Sequence, residues 1–398
     1  MRHLFSAAPR SLLISLATGA FVACATTDQS APVQGPPEIQ TIPEKDAALG
    51  DGGADGEGCG DAGADADACA LPSDCTSVDF CSTGFPVTRQ IALNGVWGSG
   101  PSDVWAVGTR GTILHGDGTT FVPVASGTDI YFAVWGTAQD DVWTVNATAP
   151  LRSTGFQSGT VTFTPQKGAT WNANGATSGR IWTGHSTSLT TTWLAGDSSS
   201  RFGASSSFWQ RTSAGDAGDA GDAGLAWKGA SACASGQFCT SSVRSLWAAD
   251  NDHAWAVGPA GQAYALDPGG QHWTQLDTKT TSDLFGVWAS GPSDVWAVGL
   301  GGTILHSTTA GAWTSVPSPT ANTLHSLWGT GPKDIWAVGD AGTILHYDGQ
   351  SWTLATIGLG SGEGPSNLLG IWGSGPDDVW VVGEGLILHR TATSRRHS

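Results

Sequence analysis

Residues 324–352 read LHSLWGTGPKDIWAVGDAGTILHYDGQSW, and this stretch decides the fold. Its short apolar runs are separated by turn-forming pairs such as Gly331-Pro332 and Asp348-Gly349. Because Gly and Pro recur where a helix would need continuity, the pattern predicts four short β-strands joined by tight turns.

The same unit recurs along the chain. Its first tryptophans follow one another at steps of 36 to 44 residues, apart from one step of 76. That period is typical of a four-stranded propeller blade. The sequence therefore predicts an all-β fold, a seven-bladed β-propeller over residues 84–390. The first tryptophans are Trp97, Trp135, Trp171, Trp247, Trp288, Trp328 and Trp372.

The long step falls in the third unit. There Trp171 and Trp182 are interpreted as the tryptophan pair, and Phe208-Trp209 as the last strand. An insertion is then expected at about residues 213–242. If Trp209 instead begins its own blade, the propeller has eight blades.

Most units carry two tryptophans, which the pattern places on adjacent strands of one blade. A sugar-binding aromatic platform is the alternative, but repetition in blade after blade is what core packing predicts. The structural tryptophans are Trp97, Trp105, Trp288, Trp296, Trp328, Trp336, Trp372 and Trp380.

An aspartate recurs just before the second tryptophan. It is expected to cap the turn by accepting backbone N–H bonds, rather than to line a metal or substrate face. Arg180 and His253 are assigned to this place in the third and fourth units, which leaves the ring incomplete. The aspartates are Asp103, Asp141, Asp294, Asp334 and Asp378.

A histidine ends the third strand in four units. These side chains are predicted to be packed or hydrogen-bonded, because zinc needs all its ligands at ~2 Å and neighbouring blades hold them too far apart. Arg152 and Ala265 take the place elsewhere. The histidines are His115, His306, His346 and His389.

The stretch HYDGQSW at residues 346–352 resembles the Asp-box of BNR-like and tectonin-like propeller repeats. The resemblance implies a propeller and a family of binding proteins and some sialidases. A sialidase would need a tyrosine nucleophile, a glutamate and an arginine cluster. No arginine triad or carboxylate pair stands out around Tyr131, Tyr264 or Tyr347, so a non-catalytic protein without cofactors is favoured.

Residues 1–23 have a basic start and an apolar stretch typical of a secretory signal. The end of this leader, Val22-Ala23-Cys24, resembles a bacterial lipoprotein processing box, which implies lipidation of Cys24. Ala25 in place of Asp implies sorting to the outer membrane. An ordinary cleaved signal is the alternative.

Residues 24–83 are rich in Gly, Ala and Asp and are predicted to form an acidic, flexible tether. Calcium binding is the alternative reading of the regular aspartates. Residues 391–398 are expected to form a disordered tail. The net charge of −17, without a basic patch, predicts that nucleic acid is not a partner.

Six cysteines remain when Cys24 is set aside, and an even number in an exported chain predicts disulfides. Cys233 and Cys239 are expected to pair with each other, and the other pairings stay open. The disulfide candidates are Cys59, Cys69, Cys75, Cys81, Cys233 and Cys239.

Together these features predict a lipid-anchored cell-envelope propeller that binds a protein or a glycan through the connections between blades. A glycoside-acting enzyme and a calcium-dependent adhesin or pilus-associated propeller are the alternatives. The last unit lacks a fourth strand, and residues 85–91 are predicted to supply it.

Overall fold

The computed structural model describes residues 75–157, 159–166, 180–199, 207–213, 225–230, 240–267, 272–308 and 311–392. They form seven blades, each an antiparallel sheet with four strands in sequence order except in the last blade. The first strands of neighbouring blades lie side by side around a central channel. This arrangement confirms the predicted all-β, seven-bladed propeller and excludes the eight-bladed alternative.

The strands of the first four blades have the following bounds. Blade 1 contains Leu93–Gly100, Asp103–Gly108, Ile113–Gly116 and Phe121–Ala125; blade 2 contains Tyr131–Ala138, Asp141–Asn146, Pro150–Ser153 and Thr164–Pro165. Blade 3 contains Ile181–Ser188, Thr191–Gly196, Phe208–Ser213 and Leu225–Ala230; blade 4 contains Ser245–Ala248, Ala254–Val257, Ala263–Leu266 and Trp273–Leu276.

The last three blades follow the same order. Blade 5 contains Leu284–Gly291, Asp294–Gly299, Ile304–Ser307 and Trp313–Ser315; blade 6 contains Leu324–Gly331, Asp334–Gly339, Ile344–Tyr347 and Trp352–Leu354; blade 7 contains Leu368–Gly375, Asp378–Gly383 and Ile387–Thr391. Three short 3-10 turns follow second strands, at Pro259–Gly261, Leu300–Gly302 and Asp340–Gly342, and Ser198–Ser199 pairs with Thr240–Ser241.

The apolar core lies between neighbouring blades, because each sheet is covered on both faces. Trp288 and Trp296 of blade 5 pack with Leu327, Ile335 and Trp352 of blade 6. The cluster between blades 7 and 1 joins the two ends of the array and closes the ring. Six of the seven second tryptophans are the largest fully buried side chains, and they are Trp105, Trp143, Trp193, Trp296, Trp336 and Trp380.

The first and second tryptophans of a blade face each other across adjacent strands, as in Trp97 opposite Trp105. The first tryptophan also reaches the next blade. Trp97 covers Gly136, where a Cβ would stand 2.6 Å from the ring atom Cη2. Glycine is needed at this close approach because a side chain would overlap the indole.

Blade 3 differs from its predicted form. Trp193 is its second tryptophan, and His185 stands opposite in the place of the first. Phe208-Trp209 lies on the third strand, not the last. The fourth strand, Leu225–Ala230, falls within the predicted insertion at 213–242, while Trp171 lies outside the described residues.

The fourth strand of blade 7 comes from the N-terminal side of the propeller, but from Phe80–Ser82 rather than residues 85–91. Ile357–Gly358 pairs with it on its outer edge. Phe85 and Ile91 are instead buried in the cluster between blades 7 and 1. The propeller therefore begins inside the predicted tether of residues 24–83, and residue 391 still belongs to the last strand rather than to the tail.

A disulfide joins Cys75 and Cys81 beside this closing strand. The other candidates, Cys59, Cys69, Cys233 and Cys239, lie outside the described residues, as do the leader and Cys24. In the part of the chain that the structure describes, no helix has the length and apolar character needed to cross a membrane.

Candidate functional site

A β-bulge interrupts the first strand of nearly every blade. In blade 1, Leu93 pairs with Gly108 and Gly95 with Val107, so Asn94 is an extra, unpaired residue. A bulge redirects the side chain of its extra residue, and bulges are common next to functional sites. Six blades share this bulge, and Arg244 occupies the equivalent position in blade 4. The seven residues at this position are Asn94, Phe132, Trp182, Arg244, Phe285, His325 and Leu369.

These seven residues, called here the mouth ring, are half-buried and line a cavity of about 200 Å³ in the channel. They lie where the connections between blades enter the first strands. The next residue in each blade is small, because the strands converge there. A Cβ on Gly95, for example, would stand 3.3 Å from the Cα of Ala133 in the next blade.

One side of the mouth ring is an aromatic and cationic cluster. The rings of Phe132 and Trp182 meet edge to face, with centroids 4.7 Å apart. The Arg244 guanidinium lies 4.8 Å from the Trp182 ring centroid, and that of Arg180 lies 5.8 Å from it. Such cation–π contacts hold the two guanidinium groups beside one indole.

The opposite side carries a histidine with a carboxylate partner. His325 Nε2 lies 2.6 Å from Asp340 Oδ1, and the Phe285 ring packs 5.5 Å from the imidazole. Asn94 donates from Nδ2 to the Tyr131 carbonyl at 2.8 Å. The mouth ring therefore presents apolar, cationic and hydrogen-bonding groups at different positions.

The predicted aspartates lie elsewhere, at the start of the second strands. Asp334 Oδ1 accepts from Trp336 Nε1 at 3.1 Å and lies 2.8 Å from His346 Nε2, and Oδ2 accepts from Thr330 at 2.6 Å. The predicted capping through backbone N–H groups is therefore wrong, since the partners are side chains. The same histidine contact recurs at Asp103–His115, Asp294–His306 and Asp378–His389.

These hydrogen bonds stabilise the ionised carboxylates. Burial alone would raise the pKa of Asp334, but the bonds from His346 and Thr330 outweigh it and lower that pKa. The pKa values of Asp103 and Asp378 are lowered in the same way. The Ser99 hydroxyl donates to the Asp103 carboxylate and not to an imidazole. Ser99, Asp103 and His115 therefore lack the serine–histidine contact that activates a serine nucleophile.

The remaining blades vary this pattern. In blade 2, Arg152 replaces the histidine and its Nε donates to Asp141 at 2.7 Å. In blade 3 the aspartate position is Thr191, not Arg180 as predicted, and in blade 4 it is His253. The Arg180 side chain instead contacts the mouth ring.

No three potential metal ligands come together in the described part of the chain. The aspartate tracts that suggested calcium lie outside it. The histidines at the ends of the third strands each face their own blade's aspartate, and no two share a site.

The mouth ring was missed by the sequence reasoning, although a signal was present. The residue after the first apolar position of each unit differs chemically in every blade except for the two phenylalanines. Positions that a repeated fold does not dictate are the ones open to function. The alternation of apolar and polar residues does not reveal a bulge. These residues therefore have the sequence pattern of an ordinary strand.

The fold and this mouth ring define the class of protein, a seven-bladed β-propeller with a chemically varied channel mouth. Solved propellers resemble it at low identity. YCF48 bound to D1 peptide is 18% identical, with a TM-score of 0.58 over 81% of this chain and 98% of that chain. The WD40 propeller domain of Doa1 is 10% identical, with a TM-score of 0.53 over 81% and 100%.

An enzyme shares the same architecture. A catalytically inactive variant of virginiamycin B lyase from Staphylococcus aureus, with quinupristin, is 16% identical, with a TM-score of 0.56 over 77% of this chain and 97% of that chain. At such identities the likeness shows the fold alone. No protein-family model matches the chain and no curated protein matches it, so the Asp-box resemblance stays a prediction.

Proposed function

We propose that this chain is a non-catalytic scaffold that binds a segment of another protein at its channel mouth. One observation carries the proposal: the mouth ring changes from blade to blade while the structure around it repeats. Packing of the blades requires the repeated residues. It does not require a tryptophan at this position in one blade and an arginine in the next.

The size and character of the mouth ring support a peptide ligand. A cavity of about 200 Å³ suits one or two side chains rather than a folded surface. Aromatic and arginine side chains are those that contribute most at protein interfaces. The propeller neighbours include one bound to a peptide, which agrees with a protein partner. A glycan is the alternative ligand.

We further propose that the protein acts at the cell envelope, as an outer-membrane lipoprotein anchored through Cys24. The leader and its Val22-Ala23-Cys24 end support this location. Because the anchor would attach the protein to the membrane, the propeller surface would remain available for its partner.

A second candidate function rests on the pair His325 and Asp340. A carboxylate that holds an imidazole at 2.6 Å is an arrangement used for general-base catalysis. His325 lines the cavity, and a lyase shares the fold. Product formation that His325→Ala abolishes, while peptide binding persists, would favour this candidate.

The experiment for the scaffold is a selection of random heptapeptides, displayed on phage with free C-termini, against the full chain. Selected peptides are then synthesised and their affinities measured by fluorescence anisotropy. Phe285→Ala is expected to weaken binding about tenfold or more, as for a central interface residue. Leu354→Ala is the matched control, because this leucine is exposed on the outermost strand of blade 6.

Melting temperatures of both variants establish that each remains folded. Unchanged affinity of Phe285→Ala for every selected peptide contradicts the proposed site. A selection that yields no peptide contradicts the proposed function.

A further inference from the structure

Two arginines contact the same tryptophan of the mouth ring, Trp182. The guanidinium of Arg244 lies 4.8 Å from the Trp182 ring centroid and that of Arg180 lies 5.8 Å from it. Phe132 packs edge-on against the same ring. Arg244 is half-buried and Arg180 is exposed. Both cations are thus held beside an apolar ring, and Arg244 and Trp182 line the cavity.

Across the described ranges, neither of these guanidinium groups forms an ion pair, although other arginines do. Arg89 pairs with Glu363, Arg152 with Asp141, and Arg390 with Asp79. Carboxylates outnumber cations two to one in the whole sequence, with 34 against 17. Among the described residues Arg110 is also unpaired, but it lies exposed on a turn, whereas Arg244 is half-buried at the cavity, where a cation without a carboxylate is unexpected.

We infer that Arg180 and Arg244 receive a carboxylate of the bound peptide, with an apolar side chain beside it. The inference rests on the proposed peptide-binding function and names the chemistry of its ligand. A guanidinium offers a planar fork of N–H donors that matches a carboxylate. The low polarity of the flanking rings strengthens that attraction relative to open solvent.

The apolar part of the ligand follows from the other ring members. Phe132 lies against Trp182, and Leu369 and Phe285 line other parts of the same cavity. An aliphatic or aromatic side chain next to the carboxylate would bury its surface there. An Asp or Glu side chain and a peptide C-terminus both carry this group, and the experiment separates the two sources.

A peptide is favoured over a sugar acid because the Trp182 ring is already covered by other side chains. Sugars stack on free aromatic faces, but three groups already lie against this indole, namely Phe132, Arg180 and Arg244. A peptide can instead place its carboxylate on the cations and its side chain in the cavity.

The test uses the selected heptapeptides and the full chain. The first expected result is enrichment of Asp and Glu among them. In the best peptide, replacing the acid with its amide should weaken binding about tenfold, as for a hydrogen bond to a charged group. Amidation of the C-terminus has this effect instead if the terminal carboxylate is the one bound.

The protein variants are Arg180→Gln and Arg244→Gln. Each should lose about tenfold in affinity for the acidic peptide, lose little for the amide peptide, and show a flatter dependence on salt. Arg110→Gln is the control, because Arg110 is exposed on a turn next to the connection between blades 1 and 2. It should retain the affinity of the unaltered protein.

Several outcomes overturn the inference. They are equal binding of acid and amide peptides, an acid preference that survives both arginine variants, and binding of sialylated glycans in place of peptides. If Phe285→Ala abolishes peptide binding while no acid preference exists, this inference fails and the proposed function stands. If no mouth-ring variant alters binding, the proposed function fails as well.

Discussion

The indole of Trp372 in blade 7 covers Gly98 in blade 1. A Cβ at Gly98 would stand 2.6 Å from the ring atom Cη2 of Trp372 and equally close to the Asp103 carbonyl oxygen. This contact seals the last blade against the first. Trp97 and Gly136 repeat it, as do Trp328 and Gly373.

Gly98→Ala is therefore expected to destabilise the propeller by about 1–3 kcal/mol, through overpacking. Gly100→Ala is the matched control, because a Cβ there meets nothing within 4 Å. Chemical denaturation of both variants measures the difference. Equal midpoints for the two would show that the tryptophan contact does not constrain residue 98.

His185 predicts a pH dependence. This histidine stands half-buried in the place of a first tryptophan, 4.4 Å from the Trp247 ring, and desolvation lowers its pKa from 6.5 to about 4. Below pH 6.5 the unfolded chain binds a proton that the folded chain does not. Stability should therefore decrease as the pH falls from about 6.5 towards 4.

The measurement is the free energy of unfolding of the unaltered protein and of His185→Gln at several pH values between 7 and 5. The glutamine variant is expected to show a flatter profile, whatever its stability at pH 7. Parallel profiles would mean that His185 has the same pKa in the folded and the unfolded protein.

Substitution of Phe80 measures how much the closing strand contributes to stability. It is fully buried on the closing strand and meets the Trp336 ring edge to face, with centroids 5.2 Å apart. Phe80→Ala should cost about 3–5 kcal/mol, as for other buried phenylalanines. Leu354→Ala, exposed on the outer strand of blade 6, is expected to change the melting temperature little. A small effect at Phe80 would contradict the closing role of residues 80–82.

Asp334→Asn tests the hydrogen-bonded aspartates. The loss of charged hydrogen bonds to His346 and Thr330 should cost about 1–3 kcal/mol at neutral pH. Because the pKa of Asp334 is lowered in the folded state, its contribution is present above pH 3.8 and is lost as the pH falls through the folded pKa. The variant and the unaltered protein should therefore approach each other in stability at acidic pH.

Asp348→Asn is the control for this substitution. Asp348 is exposed and accepts backbone N–H bonds in a turn, which asparagine can also accept. A cost at Asp348 as large as at Asp334 would indicate a general effect of charge.

The lipid anchor gives the fifth prediction. Cys24→Ala should release the protein into the soluble fraction or block removal of the leader, because the thiol is the proposed site of lipidation. Fractionation and labelling with a fatty-acid analogue provide the measurement. A variant that stays with membranes as the unaltered protein does would refute the anchor.

The repeat made the fold predictable, because paired tryptophans and glycine turns return with the blade period in most units. Blade 3 was misread where that signal fails. Trp171 suits the period, but His185 takes the tryptophan position opposite Trp193. A sequence pattern based on one residue type cannot detect a position that the fold fills with another.

The closing strand illustrates a different limit. Residues 85–91 alternate as a strand should, yet Phe85 and Ile91 pack into the cluster between blades 7 and 1. The actual strand, Phe80–Ser82, is only three residues long and has Cys81 at its centre. The mouth ring was hidden for a related reason, since a bulge shifts the side-chain direction by one residue.

The pairing of residues 80–82 with residues 388 and 389 sets the order in which the protein can mature. During synthesis the closing strand precedes its partner strand, so residues 80–82 have no strand to pair with until residues 387–391 have emerged. A product truncated before blade 7 would keep unpaired backbone groups there and an open gap in the ring, which would invite aggregation or proteolysis. The arrangement thus acts as a check on synthesis of the last blade, because only a chain that contains residues 387–391 can form a sealed ring.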